Sequence, residues 1–199
     1  MSVPVITTLI LVGRWKPDAR GRLMGAALEL FTERGYEQTS VADIAERAGV
    51  TERTFFRHFV DKREVLFDGS AELQNFVVRG VESAPDPISP IDAVGAAMES
   101  AASLLEERRD YARLRAAAIT ANRGLQEREL LKLSALGVAA AEALRARGVP
   151  DLAASLAGET GVTIFRVAFE KWIADSSSKA FAEHIRESLA ELKSLTSGA

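Results

Sequence analysis

The chain has 199 residues, of which 47% are hydrophobic and 27% are charged, a composition typical of a globular protein. It contains no cysteine, which excludes disulfide bonds, thiolate metal ligands and a cysteine nucleophile. The two histidines, His58 and His184, lie far apart in the sequence, so histidine-based metal or triad chemistry is poorly supported. The net charge of −3 conceals two short basic stretches, at 14–22 and 47–63. Contact with phosphate needs such local concentrations of positive charge.

The first 16 residues are expected to form a flexible arm. The run from Val3 to Val12 is apolar, but it is too short to span a bilayer and lacks the basic start of a signal peptide. We therefore expect a cytoplasmic protein with no membrane partner.

From residue 17 onward the apolar residues show helical spacing, and no segment shows the alternation of a strand. The first predicted helix carries an apolar stripe and ends at Gly35. The second begins with a capping box, Ser40-x-x-Asp43, and ends at Gly49. Thr51 can cap a short third helix.

A long fourth helix is predicted from about Lys62 to Ser83, before a proline-rich loop at 84–90. Five further helices are predicted at about 91–108, 111–122, 125–147, 152–175 and 179–195. The sequence thus predicts an all-α protein of about nine helices. It would be divided into a helix-turn-helix domain at 17–66 and a helical bundle at 67–199.

The segment from Val41 to Phe59 has the spacing of two helices that cross steeply through a tight turn. Ala45 supplies the small residue where the axes approach, and Gly49 supplies the residue that tolerates left-handed geometry. Alanine-rich hairpins share this spacing, so the spacing alone leaves a purely structural hairpin open. The second of these helices projects side chains rich in donors for phosphates and base edges: Thr51, Arg53, Thr54, Arg57 and His58.

Two segments that flank this hairpin add to the pattern. They are Ala27-Leu-Glu-Leu-Phe-Thr-Glu-Arg-Gly-Tyr-Glu-Gln-Thr-Ser40 and Asp61-Lys-Arg-Glu-Val-Leu-Phe67. Together, residues 20–67 resemble the DNA-binding domain of the TetR (tetracycline-repressor) family. The resemblance implies a major-groove face composed of Thr51, Arg53, Thr54 and Arg57. It also implies contacts with the DNA backbone by Thr39, Ser40, Phe56, His58 and Lys62. Ordinary surface or packing roles for Arg53, Arg57, His58 and Phe56 are the alternatives.

The last two predicted helices carry apolar stripes, which are Phe165, Phe169 and Trp172 on one and Phe181, Ile185, Leu189 and Leu192 on the other. An intramolecular core explains such stripes. The resemblance adds that these helices pair with their copies in a homodimer. The interface would then include Phe169, Trp172, Phe181, Ile185, Leu189 and Leu192.

Two further segments resemble a TetR subgroup with an acyl-CoA-like ligand-binding domain. They are Gly13-Arg-Trp-Lys-Pro-Asp-Ala-Arg-Gly-Arg-Leu23 and Ala121-Asn-Arg-Gly-Leu-Gln-Glu-Arg-Glu-Leu-Leu-Lys132. No cofactor is predicted, but the resemblance implies a small hydrophobic effector in the bundle. The candidate lining residues are Phe76, Met98, Leu105, Tyr111, Ile119, Asn122 and Phe165, each of which could equally be plain core.

The resemblance therefore implies a homodimeric transcriptional regulator, a repressor that releases a near-palindromic operator when a hydrophobic effector binds. A helical carrier of lipids or small molecules without operator specificity is the alternative. An enzyme is disfavoured because the sequence offers no evident nucleophile–base pair or metal cluster.

Overall fold

A computed structural model of the chain describes residues 19–197; the predicted arm at 1–16 lies outside the described residues. Within 19–197 every regular element is helical, which confirms the predicted all-α fold. The elements are α1 Ala19–Arg34, α2 Val41–Arg47, α3 Glu52–His58, a 3₁₀ helix Arg63–Phe67, α4 Ser70–Glu82, α5 Pro90–Ala101, α6 Ser103–Glu106, α7 Arg109–Thr120, α8 Arg123–Ala146, α9 Asp151–Ala174 and α10 Phe181–Thr196.

Local signals define the first three helices. Gly35 and Gly49 adopt φ of 87° and 66°, left-handed values that allow sharp turns after α1 and α2. Ser40 caps α2 in a reciprocal capping box with Asp43. Thr51 caps α3, because its side chain accepts a hydrogen bond from the backbone N–H of Thr54 at 3.2 Å.

The prediction of a single helix from Lys62 to Ser83 is wrong. The chain forms the short 3₁₀ helix, turns at Gly69 with φ of 86°, and only then begins α4. Val65, Leu66 and Phe67 are all buried in the core of the first three helices. A left-handed Gly69 breaks the helical path, so the chain changes direction between this segment and α4.

Helix α9 is the centre of the bundle and packs against α8, α10 and α5. Its length and apolarity would also suit a membrane-spanning helix. However, its buried face lies in the bundle core together with residues of α4, α5, α8 and α10. Burial in the core of the bundle therefore accounts for the apolarity of α9 without a bilayer.

The first three helices and the bundle share a packed junction. Ile119 of α7 and Leu125 of α8 belong to the same buried cluster as Leu23 and Phe55. Arg115 Nε donates to the carbonyl oxygen of Leu66 at 2.6 Å. The division at residue 67 remains a prediction, and these contacts cross it.

Candidate nucleic-acid interface

Helix α3 buries one face and exposes the other. Phe55 is fully buried against α1 and α2, whereas Arg53, Phe56 and Arg57 are exposed. Phe56 retains 55% of its surface although it is aromatic. Within residues 19–197, neither arginine makes an ion pair or a hydrogen bond through its side chain. Their guanidinium groups are therefore available to an external acceptor.

The remaining side chains of α3 are less free. Thr51 and Thr54 lie with their hydroxyl oxygens 3.1 Å apart, and Thr51 is also the cap of the helix. His58 is half-buried, and its Nε2 has no hydrogen-bond partner within 19–197. The residues predicted to contact DNA from α3 thus lie on one helix, but their side chains differ in how free they are to make such contacts.

The start of α2 exposes Ser40 but not Thr39. Thr39 is 1% exposed, and its hydroxyl donates inward to the carbonyl oxygen of Gly35 at 2.9 Å. The expectation that Thr39 presents its hydroxyl to DNA is therefore contradicted. Ser40 is exposed at the positive end of α2, where an anion is favoured. Hydrogen bonds from the Ser40 hydroxyl and backbone lower the pKa of Asp43 to about 2.

Lys62 lies between α3 and the 3₁₀ helix, not on a long fourth helix. Its Nζ donates to the carbonyl oxygens of Tyr36 and Thr39 at 2.8 Å each. The same atom lies 4.0 Å from the centre of the Tyr36 ring. The side chain that was expected on a phosphate is thus directed into the turn before α2.

Two further arginines of this region have structural partners. Arg47 donates to the carboxylates of Glu33 and Glu29, at 2.9 and 3.3 Å. Its hydrogen bond to Glu33 lowers the pKa of that carboxyl below its ordinary value. Arg22 Nε donates to the carbonyl oxygen of Ala48 at 3.0 Å and so supports the end of α2. No local sequence pattern predicts these roles, because the partners come from other helices.

The predicted dimer residues do not form one exposed face. Trp172, Phe181 and Ile185 are each 0% exposed within a single chain. Trp172 and Phe181 stack with ring centroids 4.9 Å apart. The prediction is therefore wrong for these three residues, because a second copy could not reach them without unfolding the bundle. Phe169, Leu189 and Leu192 are partly buried against the same core.

The predicted ligand residues fall into two places. Phe76, Met98, Leu105 and Phe165 lie in or against the bundle core. Tyr111 and Ile119 pack instead against the core of the first three helices. Asn122 caps α8 and donates to Glu37 at 2.8 Å. The seven residues therefore do not line a single pocket, which corrects the expectation.

Small residues in the bundle allow close helix packing. A Cβ atom on Gly95 would lie 2.6 Å from a methyl carbon of Leu189, and one on Gly80 would lie 2.8 Å from the Cβ of Ala97.

A groove of about 480 Å³ lies elsewhere, between α1 and α7, and is lined by Gly25, Leu28, Glu29, Thr32, Glu33, Tyr111 and Leu114. Within 19–197, no group of three or more His, Asp or Glu side chains is placed to hold a metal ion.

Sequence comparison finds relatives of the first three helices. Residues 23–68 match the family described as bacterial regulatory proteins, tetR family. The chain is 38% identical over 81 residues to the HTH-type transcriptional regulator TcmR of Streptomyces glaucescens, a match covering 41% of this chain and 36% of TcmR. It is 37% identical over 87 residues to the HTH-type transcriptional regulator TtgR of Pseudomonas putida, covering 41% of each protein. These matches thus span well under half of either relative.

Solved structures extend the similarity to the bundle. The lauroyl-CoA complex of FadR from Thermus thermophilus, described as a TetR-family transcriptional repressor, is 27% identical with a TM-score of 0.54. The match covers 87% of this chain and 92% of that one. The FadR of Bacillus subtilis with stearoyl-CoA, at 21% identity and a TM-score of 0.55, covers 86% and 96% of the two chains and shares the fold. Residues 23–68 are thus similar to the tetR family of bacterial regulatory proteins, and the whole chain shares its fold with the two FadR proteins.

Proposed function

We propose that the chain is a sequence-specific DNA-binding transcriptional regulator, a cytoplasmic repressor without enzymatic activity. The observation that carries the proposal is the exposed face of α3, where Arg53 and Arg57 have no partner within residues 19–197. A forked guanidinium can read guanine, and the exposed N-terminus of α2 can hold a backbone phosphate. In this proposal the DNA-contacting residues are Ser40, Thr51, Arg53, Thr54, Phe56, Arg57 and His58.

Selection of bound duplexes from a random-sequence pool tests this function. A regulator enriches one motif and binds it about 10³-fold or more tightly than unrelated duplex at physiological salt. A carrier without operator specificity would enrich nothing and would show only weak, salt-sensitive retardation. No enrichment at any salt concentration would contradict the proposal.

We also propose that the regulator acts as a homodimer. Helix α3 has only seven residues, and one such helix contacts too few base pairs for specificity within a genome. Two copies related by a two-fold axis would read two half-sites, so the selected motif should be a near-palindrome. Sedimentation at micromolar concentration should give a dimer. A monomer that binds one half-site tightly would contradict this part.

For the effector we propose a hydrophobic acyl-CoA-like compound. The support is the similarity to a repressor solved with lauroyl-CoA and the apolar bundle core around Phe76, Met98, Leu105 and Phe165. Lauroyl-CoA should lower operator affinity if it binds the DNA-free conformation more tightly than the bound one. If calorimetry shows that lauroyl-CoA binds but the affinity for the operator does not change, the proposed release of DNA by the effector is contradicted.

A further inference from the structure

Glu64 lies on the 3₁₀ helix that follows α3, and its carboxylate is held by two cations of α8. Arg128 donates from Nε to Oε1 at 2.6 Å, and Lys132 donates from Nζ to Oε2 at 3.1 Å. The two cations are four residues apart and therefore lie on one face of α8. Because each carboxylate oxygen has its own donor, the direction of the Glu64 side chain is fixed.

The ion pairs of Glu64 are partly shielded from water. Its side chain is 17% exposed, and those of Arg128 and Lys132 are 34% and 30% exposed. Burial acts to raise the pKa of Glu64, but hydrogen bonds from the two cations outweigh it and hold that pKa below its ordinary value. The carboxylate is therefore charged at neutral pH, and salt screens such a pair less than an exposed one.

Glu64 is also tied to the end of α3. Its backbone N–H donates to Oδ1 of Asp61 at 3.2 Å, and Asp61 follows Phe59, the C-cap residue of α3, by two positions. The same 3₁₀ helix has a second contact with the bundle, because Arg115 of α7 donates to the carbonyl oxygen of Leu66 at 2.6 Å. Polar contacts from α7 and α8 thus converge on the segment directly after α3.

The apolar part of this junction constrains the orientation of α3 less than the ion pairs do. Ile119 and Leu125 are buried among the first three helices, but the hydrophobic effect is non-directional. A charge-assisted hydrogen bond depends on both distance and angle. The carboxylate of Glu64 can therefore keep both of its donors only over a narrow range of orientations between α3 and α8.

We propose that Glu64 is a positioning residue, which fixes α3 relative to the bundle and thereby sets the half-site spacing that the homodimer accepts. A dimer reads two half-sites through two copies of α3, and the rest of the protein sets their separation. Glu64 acts through α3 and makes no contact with DNA in this role. The consequence for spacing rests on the proposed function and the proposed homodimer, whereas the tie between α3 and α8 does not.

The first test needs neither DNA nor an effector. The chain contains no cysteine, so Glu52→Cys on α3 and Ser134→Cys on α8, both at exposed positions, provide two sites for spin labels. Double electron–electron resonance measures the distribution of distances between the labels. Unlabelled protein is added in excess, so that labels on two copies of the chain rarely meet. We expect a broader distribution when Glu64→Gln is introduced into the labelled protein.

Glu46→Gln is the matched control for this measurement. It removes an exposed carboxylate of α2 and changes the net charge by the same amount as Glu64→Gln. The distribution of distances in Glu46→Gln should keep the wild-type width. A wild-type width in Glu64→Gln would overturn the proposal.

The second test measures the affinity for the selected operator after base pairs are inserted between its half-sites. Each inserted base pair moves one half-site by about 3.4 Å and rotates it by about 35° around the DNA axis. We expect two inserted base pairs to weaken binding by about 100-fold or more in wild type and by about tenfold or less in Glu64→Gln. Both proteins should bind a single half-site with the same affinity. An equal loss in both proteins on insertion would overturn the proposal.

The two tests also separate this proposal from the proposed function. If wild type selects no operator, the proposed function fails, and if it sediments as a monomer, the proposed homodimer fails. In either case the distances between α3 and α8 still decide whether Glu64 fixes one helix relative to the other.

Arg128→Met covers the case in which Glu64→Gln does not fold, as judged by circular dichroism. It removes the donor to Oε1 and leaves the sequence of the first three helices intact. It should also broaden the distribution of distances and reduce the loss of affinity on insertion. Arg123→Met is the matched control, because this exposed arginine of α8 pairs with Glu127 on the same helix. An Arg128→Met protein that behaves like Arg123→Met in both measurements would overturn the proposal.

Discussion

At the scale of single residues, the partner of a charged side chain decides what it can do. Arg47 is satisfied by Glu33 and Glu29, whereas Arg53 and Arg57 are exposed and unpaired within residues 19–197. All three belong to the same basic stretch of the sequence. Of these three arginines, only the two on α3 are therefore candidates for reading base edges.

We expect Arg53→Ala and Arg57→Ala each to weaken operator binding by about 1–3 kcal/mol and to relax the sequence preference. The physical reason is the loss of bidentate donors, which discriminate between bases. Competition titrations with operator variants measure both effects. Arg123→Ala, which removes an arginine exposed on α8, is the control. Unchanged affinity and unchanged preference in both α3 variants would show that another face reads the DNA.

At the scale of elements, helix ends and helix contacts are fixed by different groups. The start of α2 depends on the capping box of Ser40 and Asp43. The contact of α8 with α9 depends on the absence of a side chain. A Cβ atom at Gly158 would lie 2.5 Å from the carbonyl oxygen of Gly137, a distance that requires the two backbones to separate.

The capping box predicts an acid dependence of stability. Hydrogen bonding lowers the pKa of Asp43 from 3.8 to about 2 in the folded state. A lowered folded pKa stabilises the protein above the unfolded pKa, and this contribution disappears as the pH falls through the folded value. The Tm difference between wild type and Asp43→Asn should therefore be constant at neutral pH and shrink as the pH falls from 3.8 to about 2.

Thermal unfolding between neutral pH and pH 2 checks this expectation. Glu46→Gln, which changes an exposed carboxyl of the same helix, serves as the reference. A Tm difference for Asp43→Asn that grows on acidification would contradict the assigned cap.

We expect Gly158→Ala to lower the free energy of unfolding by about 1–3 kcal/mol, because the added methyl group overpacks the α8–α9 contact. Gly25→Ala in α1 is the matched control, since its Cβ atom would meet nothing within 4 Å. That substitution should raise stability by about 0.5–1 kcal/mol through helix propensity. Urea unfolding measures both, and equal effects of the two substitutions would contradict the close approach at Gly158.

At the scale of the whole molecule, α7 connects the bundle to the helix-turn-helix. Its Arg109 donates from Nε to the carbonyl oxygen of Trp172 at 3.1 Å, at the end of α9. Its other end contributes Ile119 to the core of the first three helices. The two regions are therefore expected to unfold together.

We expect Ile119→Ala to cost about 2–5 kcal/mol of unfolding free energy, because it opens a cavity in the shared core. Leu114→Ala on the same helix, where the side chain is 46% exposed, should cost much less. Circular dichroism in urea gives the free energies. Operator binding measured at the same urea concentrations should be lost in the same transition. Two separate transitions would contradict the shared core.

The sequence by itself determined the all-α fold, the turns at Gly35 and Gly49, and the caps at Ser40 and Thr51. These features depend on φ angles and on hydrogen bonds between residues a few positions apart, so the local sequence contains their cause. The resemblance to the TetR family likewise rested on a continuous local segment, which the comparison at residues 23–68 confirmed.

Only the tertiary structure decided the partners of residues that are distant in sequence. Helical spacing shows that Phe181 and Ile185 share an apolar face, but burying that face against α9 or against a second copy removes it from water equally well. The directions of the Thr39 hydroxyl and the Lys62 ammonium depend on carbonyl groups of the folded turn. Ile119 likewise shows the same spacing whether it packs in the bundle or, as here, beneath the DNA-binding helices.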